Sequence, residues 1–189
     1  MHKELLSGKK ILLGVTGSIA IYKSLELIRL FIKAGAVVKV VMSEEAKKFV
    51  TPIMFEALTA RVVLHSDTEN WATEDNHIGL AKWAEVFVVA PASANTVAKL
   101  ANAIADNLLL QTMLASKAPK IIAPAANTAM IEHPITKANL KMLSLCGYEV
   151  VEPTSKRLAC GDVGNGALAD VEDIFLASVR ALLRDEFWS

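Results

Sequence analysis

Six apolar runs of strand length recur along the chain, at Lys10–Val15, Ala36–Met42, Arg61–Leu64, Glu85–Ala90, Lys120–Ala123 and Tyr148–Val151, with helix-like periodicity between them. This alternation is the strongest constraint on the fold. Strands joined through helices run parallel, and a parallel sheet is stable only when helices cover both of its faces. The chain therefore reads as a doubly wound α/β domain, a mostly parallel sheet of about six strands with helices on both faces. Helices are expected near 19–34, 44–49, 53–58, 77–83, 95–103, 106–115, 135–146 and 171–184. An apolar content of 53% over 189 residues suits one domain with a substantial core, spanning 1–189. A sheet of this kind takes its ligand beyond the C-terminal ends of the strands.

Charge narrows the class of ligand. Twenty basic residues against twenty acidic ones leave no net charge, which gives no electrostatic footprint for nucleic acid or for an anionic membrane surface. A small-molecule substrate is the expectation. The two cysteines, Cys146 and Cys160, form neither a disulfide framework nor a zinc pattern, so no metal is expected. Cys146, at a helix end, reads as core. The segment 1–10 is too polar and short for a signal peptide, and no apolar run approaches the ~20 residues that span a bilayer. A cytoplasmic location is expected.

The segments after the strands carry the chemistry. The first strand opens through Gly14-Val15-Thr16-Gly17-Ser18-Ile19-Ala20 directly into a helix, where amides, a hydroxyl and a close-approach glycine suit a phosphate. Only two glycines are present, so the dinucleotide fingerprint is incomplete, and a plain strand-to-helix turn is the simpler alternative. After the second strand, Ser43 suits a phosphate or a helix cap, and Glu44 stands close to where a nicotinamide enzyme binds ribose. Pro91-Ala92-Ser93-Ala94-Asn95-Thr96 and Pro124-Ala125-Ala126-Asn127-Thr128 each deliver an Asn at a strand mouth, a polar floor on which a flat ring could lie. Each segment alone would also serve as a helix cap. His77 opens a helix after a polar loop beginning near Ser66, which distinguishes it from His2, His65 and His133. The long stretch at about 153–169 contains Gly161, Gly164 and Gly166, which argue against a regular element there and for a flap that presents Cys160.

Taken in order, Gly17-Ser18-Ile19-Ala20-Ile21-Tyr22-Lys23, His77-Ile78, Pro91-Ala92-Ser93-Ala94-Asn95-Thr96, Pro124-Ala125-Ala126-Asn127 and Leu158-Ala159-Cys160-Gly161-Asp162-Val163-Gly164-Asn165-Gly166 resemble the flavin-dependent cysteine decarboxylases, above all those acting on phosphopantothenoylcysteine in coenzyme A biosynthesis. The resemblance extends from about Lys10 to Asp170. It implies a carboxy-lyase with FMN as cofactor, touching Gly17, Ser18, Ile19, Ser43, Ser93, Ala94, Asn95, Thr96 and Ala126. It further implies that His77 is the active-site histidine and that Asn127 holds the substrate carboxylate. Cys160 would be the acid on a substrate clamp, where Arg157, Ala159 and Leu168 also touch substrate.

Members of the family assemble as homotrimers, or as dodecamers built of trimers, with the flavin at a subunit interface. Their chemistry oxidises the substrate thiol to a thioaldehyde, loses carbon dioxide, and reduces the resulting enethiol with a proton from an acid. Two positions depart from the family pattern. Ala126 replaces the usual Met of Pro-Ala-Met-Asn, and Gly166-Ala167-Leu168 is nearer the Gly-Ala-Met of stand-alone enzymes than the Gly-Arg-Met of bifunctional ones. Nothing in the sequence corresponds to the fused synthetase domain. Alternatives on the same fold are a peptidyl-cysteine decarboxylase, a flavin prenyltransferase, and a non-catalytic flavin-binding regulatory subunit.

Overall fold

The structure, a computed structural model, describes residues 4–157 and 163–184, with backbone alone at 156, 157 and 163. Five strands form one parallel sheet: β1 (Lys10–Val15), β2 (Val37–Met42), β3 (Val86–Ala92), β4 (Lys120–Pro124) and β5 (Glu149–Val150). Its order is β2-β1-β3-β4-β5. The helices are α1 (Tyr22–Lys33), α2 (Pro52–Thr59), α3 (His77–Trp83), α4 (Ala94–Ala101), α5 (Leu108–Ala115), α6 (Thr128–Glu132), α7 (Pro134–Leu145) and α8 (Val171–Leu183). A separate antiparallel pair, β6 (Thr154–Arg157) and β7 (Val163–Ala167), lies near the end of the chain.

Side chains alternate across the sheet and so divide the core in two. Ile11, Leu13 and Val15 of β1, with Val86, Val88 and Ala90 of β3, pack with Leu27, Ile28 and Phe31 of α1 and with Ile174 and Phe175 of α8. The Phe31 and Phe175 rings meet at 5.7 Å between centroids. Leu12, Phe87, Val89 and Ile122 point to the other face, against Leu80 of α3, Val97 of α4, Leu109 and Met113 of α5, and Leu143 of α7. Gly14 faces this second layer, where a Cβ would stand 3.1 Å from Leu109 and 3.2 Å from Phe87. Among the described residues no helix is long and apolar enough to cross a membrane.

The structure changes several expectations. The sheet has five strands rather than about six, because Arg61–Leu64 contributes only a bridge from Leu64 to Val41. Leu64 accepts from the Met42 amide at 2.7 Å and donates to Val40 at 2.9 Å, whereas Arg61 and Val62 lie exposed beyond the sheet. The helix expected near 44–49 is a single 3-10 turn at Ala46–Lys48, and α1 is preceded by another at Ile19–Ile21. The short α6 adds an element, capped by Asn127. Cys146 is exposed rather than core, since it caps the C-terminus of α7 at the helix edge.

Within the 153–169 stretch, Thr154–Arg157 and Val163–Ala167 form a strand pair where Gly164 and Gly166 suggested irregular backbone, and 158–162 lie outside the described residues. Gly164 and Gly166 serve close packing here. A Cβ on Gly166 would run into the Ala126 carbonyl oxygen, and one on Gly164 into the Thr128 side chain. The Ala126 amide in turn donates to the Gly166 carbonyl at 3.1 Å, so the hairpin base is fastened to the exit of β4.

Gly166→Ala should open this attachment while leaving the sheet intact. Losing one net backbone hydrogen bond, about 1 kcal/mol, corresponds to a roughly fivefold faster amide exchange. Hydrogen exchange should therefore accelerate at Ala126 and remain unchanged in β1 and β3; unchanged exchange at Ala126 would show that the base is held otherwise.

Candidate functional site

The strand order reverses between β1 and β3, since β1 leads outward to β2 while β3 leads the other way to β4. Connections leave in opposite directions at that point, and a crevice opens at the strand C-termini. Thr16, the first residue past β1, is buried there. Its hydroxyl donates to the Pro91 carbonyl at 2.8 Å and accepts from the Ser93 amide at 2.8 Å. One side chain thus holds the β1 and β3 exits together. Ser24 adds a buried bond to the Ala90 carbonyl at 2.7 Å.

Around the crevice, hydroxyls cap the elements that start there. Ser18 Oγ accepts from the Ala20 amide at 3.3 Å, and Ser93 Oγ accepts from the Thr96 amide at 3.2 Å and meets Thr96 Oγ1 at 3.0 Å. Gly17 lets its turn lie against Glu45, whose Cβ would be 2.7 Å from an added Cβ. Ile19 and Tyr22, each 61% exposed, bring apolar surface to the same edge. Ala94 and Asn95 begin α4, with Asn95 exposed.

Ser43 Oγ accepts from the Ala46 amide at 3.3 Å. Beyond it, Glu44, His65 and Asp67 lie close enough to share a cation, and the Lys47 ammonium takes that place, bonding Asp67 at 2.9 Å and pairing with Glu44. The Glu44 hydrogen bond, followed by that to Asp67, raises the Lys47 pKa; Lys47 in turn lowers that of Asp67. Glu44 is engaged in this pairing, and Glu45 with Lys48.

On the β4 side, Asn127 caps α6 by accepting from the Ala129 amide at 2.9 Å, and Ala126 lies between it and the strand. Leu168 is buried in the core, and its carbonyl accepts from Thr154 at 3.3 Å. His77 is the first residue of α3, whose N-terminus lies at the C-terminal edge of the sheet because α3 runs antiparallel to β3, which follows it. Its Nδ1 lies 2.8 Å from Glu69 Oε1, and its ring meets the Trp71 ring edge-on at 5.2 Å. Ala159 and Cys160 lie outside the described residues, as does the side chain of Arg157.

The structure thus gathers Gly17, Ser18, Ile19 and the 93–96 segment at the β1/β3 crevice, with Ser43 to one side and Ala126 and Asn127 to the other. The segments 16–20, 91–97 and 124–130 contain no carboxylate. A set of amides, hydroxyls and small residues, with the neighbouring Glu44 and Glu45 paired to Lys47 and Lys48, fits a flavin mononucleotide, whose phosphate and ribityl chain need donors and whose ring needs flat walls. Sequence reasoning missed Thr16 and Glu69. Thr16 could have been suspected as a lone hydroxyl ending an apolar strand, and Glu69 as an acid in the polar loop before His77. A concavity of about 500 Å³ lined by Lys120, Glu149 and Arg180 lies at the opposite edge of the sheet, away from these segments.

Comparisons with known proteins give the family. The chain is 47% identical over 173 residues to the probable phosphopantothenoylcysteine decarboxylase of Streptococcus mutans, covering 88% of this chain and 94% of that protein. It is 45% identical over 172 residues to the coenzyme A biosynthesis bifunctional protein of Bacillus subtilis, covering 90% of this chain but only 42% of that protein's length. Among solved structures, a cysteine-to-serine mutant of PPC decarboxylase complexed with pantothenoylaminoethenethiol superposes with a TM-score of 0.83 at 32% identity, covering 96% of this chain and 100% of that one. The FMN-dependent cysteine decarboxylase SpaF gives 0.82 at 31% identity, with 96% and 99% covered. The family model described as Flavoprotein matches residues 1–183, and with these relatives the chain belongs to the Flavoprotein family.

Proposed function

We propose that this chain decarboxylates phosphopantothenoylcysteine to phosphopantetheine in coenzyme A biosynthesis, with FMN as cofactor. The observation that carries the reading is the joining of three parts at one sheet edge. These are the crevice at the β1/β3 reversal, whose 16–20 and 91–97 segments carry hydroxyls and amides but no carboxylate, Asn127 at the exit of the next strand, and the strand pair fastened beside it by the Ala126–Gly166 bond. The similarity to the Streptococcus mutans protein over nearly its whole length supports the same reading. The decisive assay is turnover of phosphopantothenoylcysteine by the purified protein, with release of carbon dioxide.

When bound, FMN supplies reversible two-electron oxidation and reduction, which gives the substrate an electron sink for loss of carbon dioxide. The protein's part is binding, orientation and proton movement. Gly17, Ser18, Ile19, Ser43, Ala94, Asn95 and the hydroxyls of Ser93 and Thr96 would hold the phosphate and ribityl chain, and Ala126 would flank the ring. Asn127 caps α6 through Oδ1, and its side-chain amide would donate to the substrate carboxylate. His77 would move the proton that accompanies thiol oxidation. Cys160 would return a proton at the end, a thiol being a far stronger acid than an alcohol. Arg157 and Ala159 would frame the substrate as part of the clamp, whereas Leu168, expected there too, has its side chain buried in the core and would only anchor the base of the clamp through its carbonyl.

Ile19 and Tyr22, with Trp71 at 69% exposure, place apolar surface around the site edge, which suits completion of the site by a second copy of the chain. The assembly proposed is a homotrimer or a dodecamer built of trimers. Light scattering should return a multiple of three, and a flavin-loaded, active monomer would refute it.

Asn127→Asp keeps an oxygen for the Ala129 amide but replaces the donor with a negative charge, so FMN should remain bound while turnover falls at least about 100-fold. His77→Asn should likewise retain FMN, and its flavin absorbance should not bleach on adding substrate. Near-normal turnover by either variant would make that residue structural.

Cys160→Ser separates the last step from the first two. A serine hydroxyl is far too weak an acid to replace a thiol, so oxidation and loss of carbon dioxide should proceed and the cycle should stall before enethiol reduction. Mass spectrometry should find a product lighter than phosphopantetheine by about two hydrogens, the unreduced enethiol. Normal phosphopantetheine at the unaltered rate would free Cys160 of any role.

A further inference from the structure

We propose that Glu69 is a positioning residue that holds His77 as its Nδ1–H tautomer, leaving Nε2 to exchange the proton with the substrate. The proposal rests on the reading of His77 as the active-site histidine.

The geometry singles out one carboxylate oxygen. Glu69 Oε1 lies 2.8 Å from His77 Nδ1 and also accepts from the His77 backbone amide at 3.3 Å. An ionised carboxylate can only accept, so Nδ1 must carry the hydrogen in that contact. In a neutral imidazole the other nitrogen then holds the lone pair, and the tautomer is set by the partner rather than by the ring's own preference for Nε2–H. The backbone contact matters because it fixes which atom faces the ring. An oxygen bonded to a peptide N–H is oriented as an acceptor for Nδ1 at the same time.

The loop that delivers Glu69 is tightly built. The Asn70 amide donates to the Asp75 carbonyl at 2.8 Å, the Ala72 amide to Asn70 Oδ1 at 2.8 Å, and Asn76 Nδ2 to the Thr73 carbonyl at 2.8 Å. Lys39 anchors Asp75 at 3.3 Å. Gly79 permits the loop to lie on α3, because any Cβ there would overlap the Glu74 carbonyl. Asn76 Oδ1 takes the next two amides of α3, from Ile78 and Gly79, so Glu69 completes the capping of that helix start. Trp71 touches the imidazole edge-on at an interplanar angle of 85° and limits rotation of the ring. Glu69 and His77 retain only 20% and 22% side-chain exposure, which protects their contact from competition by water.

The test combines a tautomer measurement with a rate. Nitrogen-15 spectra of histidine-labelled, FMN-loaded, oxidised protein without substrate, taken where the ring is neutral, should show His77 with hydrogen on Nδ1. Glu69→Leu removes the acceptor and should convert the ring to Nε2–H. Substrate-driven flavin bleaching should then slow by about 100-fold, the low end of what a placed acid or base contributes, with FMN content and substrate affinity unchanged. Glu69→Gln guards against a simple loss of the helix cap. Its amide oxygen still receives the backbone N–H, so the Nδ1–H tautomer should persist and bleaching should stay within about tenfold of the parent.

An Nε2–H tautomer in the parent protein overturns the proposal, as does Glu69→Leu with the parent tautomer or with bleaching within about twofold of the parent rate. Normal turnover by His77→Asn would remove the catalytic reading of His77, and with it the use of Nε2. The spectra still decide the Glu69 contact separately.

Discussion

The Thr16 hydroxyl binds two neighbours, the Pro91 carbonyl and the Ser93 amide, and it does so at the one place where the sheet has no continuous connection of its own. Strands β1 and β3 are adjacent in the sheet, yet their chains leave it in opposite directions. Because Thr16 is buried, the groups it bonds would be stranded if the hydroxyl were absent, at a cost of about 1–3 kcal/mol for each unsatisfied group. The spacing between the Gly17 turn and the Ser93–Thr96 segment, which a bound flavin would have to match, is held by this side chain together with the Ser24–Ala90 bond.

Much of the architecture is legible in the sequence because the parallel sheet is buried on both faces, and its strands are written as near-continuous apolar runs. Val37–Met42 and Val86–Ala92 could not stand exposed, so their location follows from composition alone. Arg61–Leu64 misled for the same reason. Leu64 is apolar and does pair, but Arg61 and Val62 have no neighbouring strand to meet, and a four-residue run does not reveal whether a partner exists. The glycines after Gly161 misled in another way. Glycine marks either backbone freedom or close approach, and only the presence of Thr128 and the Ala126 carbonyl beneath Gly164 and Gly166 decides which.

Candidate site residues were legible where strand ends and helix starts coincide, since Ser18 and Ser93 each cap a helical segment that the periodicity already placed, whereas Asn127 caps the short α6 that the periodicity did not show. Glu69 escaped because its partner is eight positions along a loop without periodicity, and only the fold of residues 69–76 brings the carboxylate back onto His77. The family resemblance located His77 and Asn127 by matching motifs. It offers no account of how either side chain is held, and the structure supplies that account through Glu69 for one and the start of α6 for the other.

The attachment of β7 to the exit of β4 has a mechanical consequence. The Ala126–Gly166 bond and the packing of Gly164 on Thr128 grip the chain on either side of Asn127, so Asn127 stands between two fixed points of the hairpin. A pull on β7 is transmitted to that asparagine from both directions, as a lever loads its fulcrum. Insertions or deletions within the hairpin would therefore retune the neighbouring side chain even though they add no atom to its surroundings.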